Sequence, residues 1–362
     1  VKKFHVVYAV WGDAFIALFQ QLALPNLVAQ IERLDAADRP RYSCKIYTTS
    51  GDARRLRESA PYAALAGLAD VELLAMDDAA AENKYAMMAE GHRRAIAAAL
   101  REKAVLIFMS PDSIWSDGMF PVLQKHAENG KRIVLLPGLR VVKEEVAPLA
   151  AKRWLSADGT RLKVSSRELI AVALEHLHGL TRSLIVNSDE FDDRWPSNLD
   201  WKVGQEGILA RCFHLHPLLV DPAGLESLPT WTVDDDFICR LPRAPGDSHI
   251  VADSDEITQF DLSAAAAAPE PRRNEDVSLF RIAAWAANHA TADQRRYFKE
   301  KIYFHVGERS ARWEAVERES DRAVRTISLL LLARPLLFDV RAYLSRIKIL
   351  RRIYLSFKTR FS

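Results

Sequence analysis

Residues 104–118 read Ala104-Val105-Leu106-Ile107-Phe108-Met109-Ser110-Pro111-Asp112-Ser113-Ile114-Trp115-Ser116-Asp117-Gly118. The first half is an unbroken apolar run with the length and residue types of a strand buried on both faces. Pro111 closes it, and Asp112 and Asp117 follow on a turn that ends at Gly118. In open α/β sheets, ligands bind where the carboxyl ends of the strands meet the loops. Two acids delivered there suit a divalent cation, which in turn holds a phosphate. The plainer reading is that Asp112 caps the turn and Asp117 caps the next helix. Both readings stay open on these residues alone.

Outward from this stretch, strand and helix alternate at short intervals. Phe4 to Val10 reads as an opening strand that ends at Trp11-Gly12-Asp13, and Ala14 to Leu34 has helical spacing with a kink or break at Pro25. Tyr42 to Thr48 and Val71 to Ala75 read as strands around a helix from Ala53 to Leu68. A helix from Asn83 to Lys103 precedes the central strand; a helix from Met119 to Asn129 and a strand from Lys131 to Leu136 follow it. This order predicts an α/β fold with a mostly parallel central sheet covered by helices.

Beyond Arg140 the pattern changes. Residues 143–183 are predicted to be a helical insertion, with a helix start at Ser165-Ser166-Arg167-Glu168. Asn187 to Trp201 reads as a polar loop. Gly207 to Val220 reads as one strand with His214 and His216 on one face, because residues two apart point the same way. The expected organisation is a domain over 1–262, a linker over 263–275, and a helical extension over 276–362.

Composition bounds the class. The chain has 362 residues, 49% of them hydrophobic, enough for a sizeable core. Cys44, Cys212 and Cys239 are too few and too scattered for a disulfide framework, and buried thiols in a cytoplasmic chain are expected. Val1-Lys2-Lys3 runs straight into a strand pattern without a signal-peptide pattern. The net charge of +2 hides an asymmetry: residues 328–362 hold eight Lys/Arg against the single acid Asp339, and the remainder is mildly acidic. That is not the profile of a body that grips nucleic acid. In the tail, Val340, Leu344, Ile347, Leu350, Tyr354, Phe357 and Phe361 recur at helical spacing beside basic residues. A helix lying on an anionic membrane surface is one reading. A helix packed on the acidic body, or closing a homodimer, is the other.

A strand near the start, a second strand ending in small polar residues, a Lys/Tyr-bearing helix, a strand ending in a carboxylate turn and a later His-x-His together resemble the GT-A glycosyltransferases. The resemblance covers roughly residues 4–262. It implies a Rossmann-like sheet and a hexosyltransferase-type enzyme with a nucleotide-sugar donor, a divalent cation (Mn²⁺ or Mg²⁺) and a saccharide or lipid-linked acceptor. Such an enzyme would serve cell-surface polysaccharide or glycolipid synthesis, peripherally on the inner face of the cytoplasmic membrane. Mapped onto this chain, Ala9, Val10, Trp11, Thr48 and Lys84 would lie by the donor. Asp112, Asp117, His214 and His216 would hold the metal, and Asp234, Asp236 or Glu206 would take the acceptor proton. The usual Asp-x-Asp motif is not present in that form, since the acid after Asp112 is Asp117.

Three rival readings stand beside this one. Asp253-x-Asp255-Glu256 competes with Asp112 as the acidic motif. His214, His216 and nearby acids would build a metal-dependent hydrolase. A non-catalytic nucleotide-binding or scaffold protein of an envelope-assembly complex is the third. The plainer readings are a half-buried strand for the histidines and a solvated turn for Asp234 to Asp236.

Overall fold

The computed structural model describes residues 1–77, 84–244, 246–268 and 277–333. Its strands in chain order are β1 (Lys3–Ala9), β2 (Tyr42–Thr48), β3 (Asp70–Ala75), β4 (Ala104–Phe108), β5 (Ser113–Trp115), β6 (Ile133–Leu136) and β7 (Leu139–Val142). They continue with β8 (Asn198–Lys202), β9 (Gly207–Cys212), β10 (His216–Val220), β11 (Ser248–Ile250), β12 (Gln259–Ser263) and β13 (Ile302–His305).

The fold is α/β, as the alternation predicts. Seven strands form the main sheet in the order β11-β6-β10-β4-β1-β2-β3. All run parallel except β10, which is antiparallel to both β4 and β6. The central strand shows why this sheet forms. Ala104, Leu106 and Phe108 enter the core on one face, and Val105 and Ile107 enter the core on the other. None is more than 3% exposed. Burial of each such Val, Leu, Ile or Phe side chain contributes about 1.5–3 kcal/mol. From β1 the chain steps outward through β2 and β3, then returns to pair β4 on the opposite edge of β1. The strand order therefore reverses between β1 and β4, the position where open sheets leave a crevice at their carboxyl ends.

Two smaller sheets build over that end. One has the order β5-β12-β7, the other β13-β9-β8. In the second, Ile208, Ala210 and Cys212 face the main core. Leu199, Trp201 and Leu209 face a third core, closed by Trp285, Phe298 and Trp313.

Several local expectations are corrected. The helix Asp13–Leu18 runs through a π turn at Phe19–Ala23 into Leu24–Glu32, so Pro25 sits near a helix start and causes no break. By length and composition Asp13–Glu32 could cross a membrane, but two-thirds of its apolar window is buried inside the fold. The predicted helix 53–68 is two helices, Ser50–Arg57 and Ala60–Ala66, the second capped by the Ser59 hydroxyl. The predicted loop 187–201 contains most of β8, and the predicted helical extension 276–362 contains β13. The predicted strand 207–220 is two strands in different sheets. Ser263 ends β12, so the expected linker begins inside a strand; 269–276 lie outside the described residues. Residues 311–333 are helical, and the basic tail from 334 onward also lies outside the described residues. Cys44 and Cys212 are buried, whereas Cys239 is exposed. The helix Ser166–Glu175 starts as predicted, with reciprocal capping between Ser165 and Glu168.

Candidate functional site

A cavity of about 1040 Å³ opens at the reversal point of the main sheet. Its floor is the carboxyl end of β1, at Ala9, and of β4, at Phe108, with the following Met109, Ser110 and Pro111. The small sheets supply its walls: Ser113 from β5, Arg140 from β7, Asn198 and Asp200 from β8, Gln259 and Asp261 from β12.

β4 ends at Phe108, and around Pro111 the chain turns so that the Ser110 hydroxyl donates to Asp112 Oδ1 at 2.5 Å. The Asp112 carbonyl accepts from the Leu262 amide at 2.8 Å, which ties the turn to β12. One residue earlier on β12 stands Asp261, whose Oδ1 accepts from the Ser113 hydroxyl at 2.5 Å. The two carboxyls interact through space. Burial raises the pKa of both, and the charge of Asp261 raises Asp112 further. Arg140 opposes both shifts. Its guanidinium donates to the Ser263 hydroxyl at 3.1 Å, and its main-chain amide is held by Thr181 Oγ1. The result is a pair of half-buried acids that feel the charge of the Arg140 guanidinium.

Hard carboxylate oxygens in a pair are the donor set that Mg²⁺ and Mn²⁺ select. Burial first, and at Asp112 the charge of Asp261 second, disfavours the ionised acids, a cost that a cation would offset. Asp112 and Asp261 therefore fit a divalent cation. The other expected ligands have partners of their own. Asp117 bonds the Val164 amide at 3.3 Å and lies 3.7 Å from Arg33, outside the cavity lining. His216 Nε2 donates to the Phe108 carbonyl at 2.9 Å and straps β10 to β4; burial lowers its pKa and keeps it neutral. His214 is not on that strand. It lies in the turn between β9 and β10, where its Nδ1 meets Gln294 at 3.1 Å. Both histidines line the cavity.

Of the expected donor-side residues, Ala9 lines the cavity, while Val10, Trp11 and Thr48 do not. Val10 and Thr48 are fully buried. Lys84 opens the helix Lys84–Glu102, and its side chain lies outside the described residues. Among the expected bases, Asp234 is exposed and lines the cavity, and the side chain of Asp236 lies outside the described residues. Glu206 is elsewhere: it accepts from the Ser310 hydroxyl at 2.6 Å and lies 3.5 Å from Arg312.

Asp112 itself is not among the cavity-lining residues, although its neighbours Pro111 and Ser113 are, and Asp253 and Asp255 do not line the cavity either. They gather around His305 as a separate group that could hold a metal ion, with His305 Nε2 2.9 Å from Asp253 Oδ1. Arg167 grips Asp255 there through bonds of 3.1 and 2.8 Å and already supplies a counter-charge. A second such group is His126, His249 and Glu256, also outside the cavity lining.

Several cavity residues escape the sequence reading. His92, on the long helix before β4, accepts the Val233 amide at 3.0 Å on Nδ1, and burial pushes its pKa down to about 3. Trp195 is 62% exposed and lines the mouth, edge-on to Trp285. Asp200 is only 2% exposed, and burial pushes its carboxyl up to about 8. Gly138 lets the Gln259 side chain pass: a Cβ there would lie 2.3 Å from Gln259 Nε2. The available signal was the period-two alternation of Asn198-Leu199-Asp200-Trp201-Lys202 and Gln259-Phe260-Asp261-Leu262-Ser263, each with an acid in the middle of its polar face.

No family model and no curated protein matches this sequence. Among solved structures, parts of two glycosyltransferases align with it. S. aureus TarS aligns at 10% identity over 38% of this chain and 21% of its own, with a TM-score of 0.27. Its residues 1–349 align at 9% identity over 38% and 35%, with a TM-score of 0.28. Mouse xyloside xylosyltransferase 1 aligns at 11% identity over 42% and 56%, with a TM-score of 0.26. The chain thus spans less than two-thirds of each of these structures, and at such scores the likeness carries no inference about chemistry.

Proposed function

We propose that this chain is a glycosyltransferase that moves a sugar from a nucleotide-diphosphate donor to an acceptor hydroxyl. The observation that carries this reading is the acid pair Asp112/Asp261 set against Arg140 at the reversal point of a mostly parallel sheet. A diphosphate leaves with negative charge, and the chain must stabilise that charge as it develops. Arg140 is permanently cationic and offers a fork that matches phosphate oxygens. A divalent cation held by Asp112 and Asp261 would supply further charge neutralisation there. Ala9, Phe108 and Met109 give an apolar floor for a base, and Trp195 presents a broad aromatic face at the mouth, where a sugar ring stacks.

In this reading residues 1–262 form the donor-binding domain and the acceptor is a saccharide or a lipid-linked saccharide. The basic tail then serves as a peripheral contact to an anionic membrane, with a homodimer contact as its alternative use.

The test is a panel of UDP-, GDP-, CDP- and dTDP-linked sugars with Mn²⁺, read by release of nucleoside diphosphate. One donor should turn over, and Arg140→Ala and Asp261→Asn should each slow it by ~10²-fold or more, the scale of losing one charge-stabilising group. Absence of binding and turnover across the panel, or full activity in Asp261→Asn, overturns the proposal.

A further inference from the structure

Three oxygen atoms on the cavity residues are sealed from solvent and have no hydrogen-bond partner among the described residues: Asn198 Oδ1, Asp200 Oδ1 and Gln259 Oε1. Asp200 and Gln259 are 2% and 4% exposed. Unpaired buried acceptors cost free energy, and folded chains rarely leave several in one place. Here all three residues line one cavity. Asn198 and Asp200 stand two residues apart on β8 and point to the same face. Gln259 comes from β12, where its amide also bonds the Asp261 carboxylate. Leu184 and Leu215 line the cavity beside them, and Cys212 is the titratable neighbour of Asp200 on β9. Arg140, Asp192, Arg194, His214, Asp234 and Asp261 line the same cavity from its other sides. Asp200 forms no ion pair among the described residues, and burial alone shifts its carboxyl.

All three orphan atoms are acceptors, so the complementary ligand brings donors. We propose that these residues form the acceptor subsite, that hydroxyls of a saccharide acceptor donate to Asn198 and Gln259, and that Asp200 takes the proton of the attacking hydroxyl. The proposal rests on the glycosyl-transfer reading above and assigns its proton acceptor to a residue other than Asp234, Asp236 or Glu206. In the step, the acceptor oxygen forms a bond to the anomeric carbon and its proton passes to the Asp200 carboxylate. The bond from that carbon to the diphosphate breaks, and the electron pair leaves on the diphosphate oxygen. A carboxylate in an apolar wall is a stronger base than a solvated one, which favours Asp200 over the exposed Asp234.

The test uses the full chain and two separate readouts. Methyl glycosides at millimolar concentration are the acceptor probes, read by the rise in melting temperature and by glycoside product formed with the donor panel. Wild type should be stabilised by at least one glycoside, and Asn198→Ala and Asp200→Ala should lose that shift. Wild-type transfer should rise with pH into the alkaline range, and Asp200→Asn should retain donor binding, lose transfer by at least a hundredfold, and lose that rise. If no glycoside stabilises wild type, or if Asp200→Asn transfers at the wild-type rate, the inference is wrong even where donor turnover is intact. Failure of donor binding and turnover in wild type overturns the parent reading instead, while the glycoside shifts still judge the subsite.

Discussion

Replacing Asp200 by Asn should stabilise the protein increasingly as pH rises from 4 to 8. The carboxyl is fully buried without an ion-pair partner among the described residues, and its pKa is pushed from 3.8 up to about 8. The folded state therefore holds this proton more tightly than the unfolded chain does. The stability that this binding provides is fully present below 3.8 and is lost as pH rises through the window up to about 8. At pH 7 the unfolded chain has released the proton and the folded chain has not, a gap of roughly 3 pH units. At 1.36 kcal/mol per unit this amounts to a ceiling of about 4 kcal/mol. Water entering from the cavity reduces it, so about 2–4 kcal/mol is expected. Asn keeps the shape and does not titrate. Urea unfolding of both proteins at matched pH values isolates the effect, because every other titrating group cancels in the difference. The advantage of Asp200→Asn should grow by about 2–4 kcal/mol between pH 4 and pH 7. A difference that stays flat within about 1 kcal/mol would refute the reasoning, because it would mean that the carboxyl is hydrated or paired in solution.

Other substitutions probe the architecture around it. Gly138→Ala places a methyl group 2.3 Å from Gln259 Nε2 and should displace the Gln259–Asp261 contact, weakening donor binding with a stability loss of about 1–3 kcal/mol; unchanged donor affinity would show that Gln259 has room to move. His216→Ala removes the strap to the Phe108 carbonyl and should cost about 1–3 kcal/mol by urea unfolding. A change in metal affinity without that loss would return His216 to the role of a ligand. For the basic tail, full-length protein should float with anionic liposomes and be released by salt, and a chain ending at Ala333 should not; flotation of neither would leave the tail without a membrane role.

The strand–helix alternation was legible because each element of the main sheet carries its own local signal. β2 is found at its predicted bounds, and β4 falls within the run that opens the reading, since a strand buried on two faces must be apolar at every position. The arrival of Asp112 at the ligand end of the sheet follows from the same run. What Asp112 meets there was decided by tertiary structure. Asp261 comes from a strand some 150 residues away, and Arg140 from another, through pairings of β12 with β5 and β7 that no local pattern specifies. The stretch 207–220 has the apolar content of one strand. Yet its halves join different sheets, because β9 is claimed by β8 and β13 while β10 fills the antiparallel place between β4 and β6. That split moves His214 off the strand and commits His216 to a backbone carbonyl. Asp200 shows the limit most plainly. In sequence it is one acid in a polar, turn-prone stretch, and only the closing of two cores around β8 removes its water and sets the residue in the cavity lining.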